Sequence, residues 1–320
     1  MGIVYNMLFG GANKPINRDP SKVMAIPKPV IKVFDWLAER PMYEPLRALC
    51  RMEAVFLQMD GKPYKDALKK CNTYKSEELH LDKLHGTLFY SDKPSKKFVL
   101  GIHGYRMNSI SEFARYVPLY HEMGYNFLAI DNCGAGESEG DFVSFGVQES
   151  ADAIRWAKLL VDKFGQDIEI LIYGLSLGGA TTIIACGDKN LPSQVRCAIV
   201  DSPYSSFRAE EDYILSLLKL PTKIYPIFFG IINHVFKKNT GLNLKDASPI
   251  DSVKKAKVPI LFIHGEDDIF VPCKFSKELS SACSTTSQLE LFSNASHCQS
   301  FHWDPTRYTS LVHSWTNKHM

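Results

Sequence analysis

Residues 168–180 read IEILIYGLSLGGA, and the character of the chain changes along them. Residues 168–173 are a short, continuous apolar run with β-branched members, the pattern of a strand buried on both faces. Residues 177–186 have helical character. Between the two lies Gly174-Leu175-Ser176-Leu177-Gly178-Gly179. A serine on a sharp turn from strand into helix sits on strained backbone, so its neighbours must be small. The helix that starts there aims its unbonded N–H groups back at the serine.

Working outward, residues 98–102, 126–130, 197–200 and 258–263 are apolar runs of the same kind. Residues 288–292 supply another strand, and 77–81 and 84–90 read as two strands joined by a tight turn. Helical stretches at 111–123, 147–164 and 273–282 fall between them. This alternation predicts an α/β architecture: a mostly parallel eight-stranded sheet flanked by helices. Residues 204–247 break the alternation, because they exceed what a loop needs. They hold a helix-like piece at 210–219 and an apolar run at 224–232, interrupted by Pro226 and Gly230 and too short to span a bilayer. This is expected to be a small helical cap inserted over the sheet. Residues 1–75 are proline-rich, with helices expected at 30–39 and 46–58, and read as an N-terminal helical arm outside a catalytic domain at 76–320. The arm packs on that domain, or its basic segment 22–32 meets a membrane surface.

The chain has 320 residues, 45% of them hydrophobic, and 37 basic against 35 acidic side chains for a net charge of +2. That balance offers no electrostatic footprint for nucleic acid. Eight scattered cysteines without a CxxC pair argue against a zinc site or a disulfide framework, and for a reducing, cytoplasmic setting. The N-terminus has no basic region before its short apolar stretch, and Asn6 stands where myristoylation wants Ser or Thr.

The chemistry gathers at strand ends. Ser176 is the expected nucleophile and the Leu177 N–H one oxyanion donor. Residues 101–105, GIHGY, close the strand at 98–102 and offer the Tyr105 N–H as the second donor. His103 reads as structural, because it precedes the serine whereas the base is expected last. Residues 264–272, HGEDDIFVP, follow the strand at 258–263 and supply Asp268 as the acid that orients the base; Asp267 and Asp201 compete for that role. His297, in NASHC at 294–298, is the expected base, with His302 its nearest rival. His80 and His85 lie on strands without an evident partner and read as structural. In the cap, Ile227, Phe228, Phe229 and Ile231 are apolar enough to be expected out of water, as core or as the lining of an acyl pocket. Glu210, Glu211 and Asp212 either hold a substrate amine or complement a helix dipole after Ser205-Ser206. No metal or organic cofactor is called for.

Together HGYRMNS (103–109), DNCGAGESEG (131–140), GLSLGG (174–179), DASPIDSVKKAKVPILFIHGEDDIFVP (246–272) and SH (296–297) resemble bacterial α/β-hydrolases of the dipeptidyl aminopeptidase/acylaminoacyl-peptidase-like, or serine-aminopeptidase-like, group. The resemblance covers residues 76–318 and implies the α/β-hydrolase fold. By motif it implies a triad of Ser176, Asp268 and His297, with Tyr105 and Leu177 at the oxyanion positions. Cys133 stands where that group usually has Arg, which removes a local ion pair. The expected reaction is hydrolysis of a carboxylic ester or thioester, taking a small-molecule substrate. The alternatives are amide hydrolysis of a short peptide, in the manner of an aminopeptidase, and a non-catalytic binding protein on the same scaffold.

Overall fold

The computed structural model describes residues 62–217 and 219–320. The helices expected at 30–39 and 46–58, and the basic segment 22–32, lie outside the described residues. The described chain opens with α1 (Lys62–Cys71), whose Tyr64, Leu68 and Cys71 recur at helical spacing and pack on the core.

The eight strands are β1 (Ser76–Leu81), β2 (Leu84–Phe89), β3 (Lys97–Ile102), β4 (Asn126–Ile130), β5 (Glu169–Leu175), β6 (Val195–Asp201), β7 (Ile260–Gly265) and β8 (Ser287–Phe292). They form one sheet in the order β1-β2-β4-β3-β5-β6-β7-β8. β1 with β2 and β2 with β4 pair antiparallel, and every later pair is parallel.

The helices after α1 are α2 (Ser109–Phe113), α3 (Tyr116–Glu122), α4 (Val147–Phe164), α5 (Leu177–Gly187), α6 (Phe207–Leu217), α7 (Tyr225–Thr240), α8 (Pro249–Val253), α9 (Lys274–Ala282), α10 (Ser300–Trp303) and α11 (Pro305–His319). Strand alternation divides the core between the two sheet faces. Leu100, Ile170, Ile172 and Phe262 pack with α4, α5, α8 and α9 on one face. Val99, Leu171, Tyr173 and Leu261 pack with α1, α2, α3 and α11 on the other. Both faces are covered, which is why these strands read as unbroken apolar runs.

The single helix expected at 111–123 is in fact two, α2 and α3. Pro118 is the reason: it has no N–H to give to the carbonyl four residues earlier. That carbonyl, of Ala114, instead accepts the Cys71 thiol at 3.1 Å.

The insertion between β6 and β7 is helical, as expected, but α7 is buried on one side only. Tyr225, Phe229 and Phe236 are buried, while Ile227, Phe228 and Ile231 are exposed. The expectation that all four apolar residues avoid water therefore fails for three of them. The helix lies on the body by the 225/229/236 stripe, and its opposite side has no described element over it. Among the described residues, no helix is long and apolar enough to cross a membrane.

Candidate active site

β5 ends at Leu175 and α5 begins at Leu177, which leaves Ser176 on the turn with φ 54° and ψ −116°. Positive φ at a non-glycine residue is strained backbone. Two close approaches explain its glycine neighbours. A Cβ on Gly174 would meet the Gly178 carbonyl oxygen at 2.1 Å, and one on Gly178 would meet that of Ile102 at 1.9 Å. The Ser176 N–H donates to the Asp201 carbonyl at 2.8 Å, which ties the turn to the end of β6.

His297, in the loop after β8, has Nε2 2.9 Å from Ser176 Oγ and Nδ1 2.7 Å from Asp268 Oδ2. Asp268 lies in the loop after β7. Its Oδ1 accepts the N–H groups of Phe270 at 3.0 Å and Val271 at 2.8 Å. Burial opposes its charge, but His297 and His264 hold its carboxyl well below the usual carboxylate range. An ionised carboxylate only accepts, so Nδ1 of His297 donates and a neutral ring leaves Nε2 free to accept the serine proton. Burial pulls the His297 pKa down, but Asp268, with Asp201 and Glu112 adding to it, turns the net shift upward.

The rival residues fall elsewhere. Asp267 is exposed, and its N–H donates to the Ala295 carbonyl. Asp201 is fully buried, takes the Ser202 hydroxyl at 3.0 Å, and leaves Oδ2 without a partner. Burial pushes its carboxyl up to about 6. His302 is exposed, 3.4 Å from an Arg115 nitrogen. His103 accepts the Asn132 N–H on Nε2 and donates Nδ1 to the Gly104 carbonyl, tying the ends of β3 and β4 together. His85 differs from the expectation of a strand histidine without a partner. Its Nδ1 is 2.9 Å from Asp131, and its Nε2 bonds Glu78. Asp131 comes from the end of β4 and Glu78 from β1, so sequence distance hid the pairing.

The turn carrying Tyr105 passes against the serine: a Cβ on Gly104 would lie 3.5 Å from that of Ser176. Leu177 opens α5, where an N–H has no carbonyl one turn earlier to bond. Two side chains here escaped the sequence reading. Glu112 accepts the Gly104 N–H at 3.0 Å, and burial raises its carboxyl to about 7. His264 donates Nε2 to the Val271 carbonyl at 2.7 Å, with Asp268 Oδ2 at 3.1 Å, and its Nδ1 accepts the Ser276 hydroxyl. It therefore braces the loop that carries Asp268. Their signals were an acid in the turn-and-helix after HGY and a histidine four residues before Asp268.

Around the serine, Leu177, Tyr204, Val271 and Phe275 are buried together, with Tyr105, Phe145, Tyr213 and Phe270 packed against them. The Phe270 ring meets His297 edge-on at 5.1 Å. Of the four apolar residues singled out in the insertion, Phe229 connects inward: its ring neighbours Phe207 at 6.4 Å, Phe207 neighbours Phe145 at 4.6 Å, and Phe145 stacks on Tyr105 at 5.7 Å. Ile227, Phe228 and Ile231 face away. Both carboxylate oxygens of Glu210 on α6 are buried without a hydrogen-bond partner, and burial and then Asp268 push its pKa well up. Near Cys133 the acids Glu149, Asp152 and Asp141 add to burial in raising the thiol to about 11. Glu149 is held by the N–H groups of Ser144 at 2.7 Å and Gly146 at 2.8 Å. Among the described residues, no cluster of metal-ligating side chains forms, and the cysteines are free thiols.

Residues 111–320 match the prolyl oligopeptidase family. The uncharacterized protein YqkD of Bacillus subtilis is 27% identical over 211 residues, 66% of this chain and 68% of its own. The fold is that of the Pyrococcus furiosus esterase Pf2001, with TM-score 0.61 and 23% identity over 79% of this chain and 95% of that one. It is also that of the Pyrococcus horikoshii acylaminoacyl peptidase, with TM-score 0.56 and 16% identity over 79% of this chain and 42% of that one. The match to the family spans the serine turn and both loops that face it, and the sheet around them is the α/β-hydrolase sheet. This chain is a serine hydrolase and belongs to the prolyl oligopeptidase family.

Proposed function

We propose that the chain hydrolyses carboxylic esters or thioesters through an acyl-enzyme, with Ser176 as nucleophile, His297 as general base and Asp268 as the carboxylate that orients it. The observation that carries this reading is the unbroken relay Ser176 Oγ–His297–Asp268, at 2.9 and 2.7 Å. His297 takes the serine proton as Oγ attacks the carbonyl carbon. It then gives that proton to the leaving group, and in the second half it activates the water that releases the acid. The N–H groups of Tyr105 and Leu177 meet the developing oxyanion, at about 3 kcal/mol for each donor. The aromatic surround of Tyr105, Phe145, Tyr213 and Phe270 supports an apolar acyl or aryl group.

Glu210 favours a second reading, amide hydrolysis of short peptides with a free amine. A buried carboxylate without a partner is costly, and an ammonium group would satisfy it. A non-catalytic scaffold has no such support, because the relay is intact. The test is one screen: p-nitrophenyl esters of graded chain length beside aminoacyl-p-nitroanilides. Preference for the esters supports the first reading, and preference for the anilides replaces it with the second.

A further inference from the structure

The described surface shows five exposed large hydrophobic side chains, and three of them, Ile227, Phe228 and Ile231, sit together on α7 at 61%, 41% and 58% exposure. Their spacing places them on one side of the helix, opposite the buried Tyr225, Phe229 and Phe236. A Cβ on Gly230, beside them, would touch nothing within 4 Å, so the surface there is open.

The charge of the same segment is one-sided. Residues 213–245 contain Lys219, Lys223, Lys237, Lys238 and Lys245 and not one Asp or Glu, in a chain whose net charge is only +2. All five lysines are exposed. None has a carboxylate within ion-pair distance among the described residues. Lys238 follows Ile231 by seven residues on α7, and Lys223 lies in the 3₁₀ turn just before the helix, so a cation flanks the apolar patch at each end.

We infer that this face of α7 is a docking surface for an anionic lipid membrane, on which the insertion lies flat with its apolar side chains in the headgroup boundary. An exposed apolar strip within a lysine-only field is the pattern of an interfacial helix. Its charge is complementary to an anionic leaflet. A second copy of this chain fits poorly, because pairing the faces would set the lysines that flank the patch on one copy against those of the other, and α7 itself carries no acid. The inference does not rest on the proposed reaction, since binding is read without turnover.

The experiment is flotation of the full chain with phosphatidylcholine vesicles, with and without phosphatidylserine. Wild type should float with the anionic vesicles and not with pure phosphatidylcholine, and added salt should release it. Ile227→Ser/Phe228→Ser/Ile231→Ser should abolish flotation with no change in melting temperature, because these side chains are exposed. Lys223→Gln/Lys237→Gln/Lys238→Gln should weaken binding by about fivefold per lysine. Three results would overturn the inference. One is no flotation of wild type. Another is flotation that survives both sets of substitutions, as it would if another part of the chain bound the lipid. The third is a patch that the serine variant shows to mediate only self-association or binding to an acidic protein.

Discussion

Nδ1 of His297 and Oδ2 of Asp268 lie 2.7 Å apart, although 29 residues separate them in the chain. Asp201 ends the neighbouring strand but turns its side chain to Ser202, and gives the site only a backbone carbonyl. The acid that follows β7 therefore has a different task from the acid that ends β6, and substitution should separate the two. Asp268→Asn should lower kcat by about 10⁴-fold, because an amide does not hold the histidine tautomer. It should also move the acid limb of the kcat/KM profile to lower pH, since Asp268 is what raises the His297 pKa. Asp267→Asn should leave the rate nearly unchanged. Steady-state kinetics over a pH series would check this, and a larger loss in Asp201→Asn would move the acid to β6.

Ser176→Ala should reduce ester turnover on the order of 10⁶-fold and leave the melting temperature close to that of wild type. A fluorophosphonate probe should label the wild-type protein and not the variant. Label retained in Ser176→Ala would assign the nucleophile to another serine.

The unpartnered carboxylate of Glu210 distinguishes the two substrate readings. Under the ester reading, Glu210→Gln should be neutral or stabilising, because it removes a buried acid that has no hydrogen bond. Under the amine reading, it should raise KM for aminoacyl-p-nitroanilides at least tenfold and leave the simple esters unaffected. Paired Michaelis–Menten curves for the two substrate classes would decide.

Away from the serine, the His85 pair makes a stability prediction. Burial opposes the charge on His85, but Asp131 and Glu78 outweigh it and raise its pKa from 6.5 to about 9. A raised folded-state pKa means that the stabilisation is complete below about pH 6.5 and fades as pH rises through 9. His85→Gln should cost about 3 kcal/mol at neutral pH, because it strands a buried carboxylate. It should also flatten the melting temperature between these two pH values. A variant that keeps the wild-type slope would show that another group carries the dependence.

On α7, Phe229→Ala should lower stability by about 3 kcal/mol, because Phe229 is buried against Phe207 and Phe236. Phe228→Ala, one residue earlier and exposed, should change it by less than about 0.5 kcal/mol. Urea unfolding of both variants checks the assignment of the two helix faces.

The sequence alone determined the strand–serine–helix turn at Ser176, the run of buried strands around it and the helix at Val147–Phe164, because apolar periodicity and glycine spacing are local properties. It also ranked the acid and base candidates by the strand ends they follow. Contacts between distant residues outside those motifs were illegible. The sequence could not show that Ala114 and Cys71 meet where Pro118 splits a helix, or that Asp131 and Glu78 reach His85. Nor could it show which face of α7 meets the body. An apolar residue carries the same transfer free energy whether or not an element covers it, so only the tertiary structure decided that Phe229 is buried while Ile227, Phe228 and Ile231 are left at the surface.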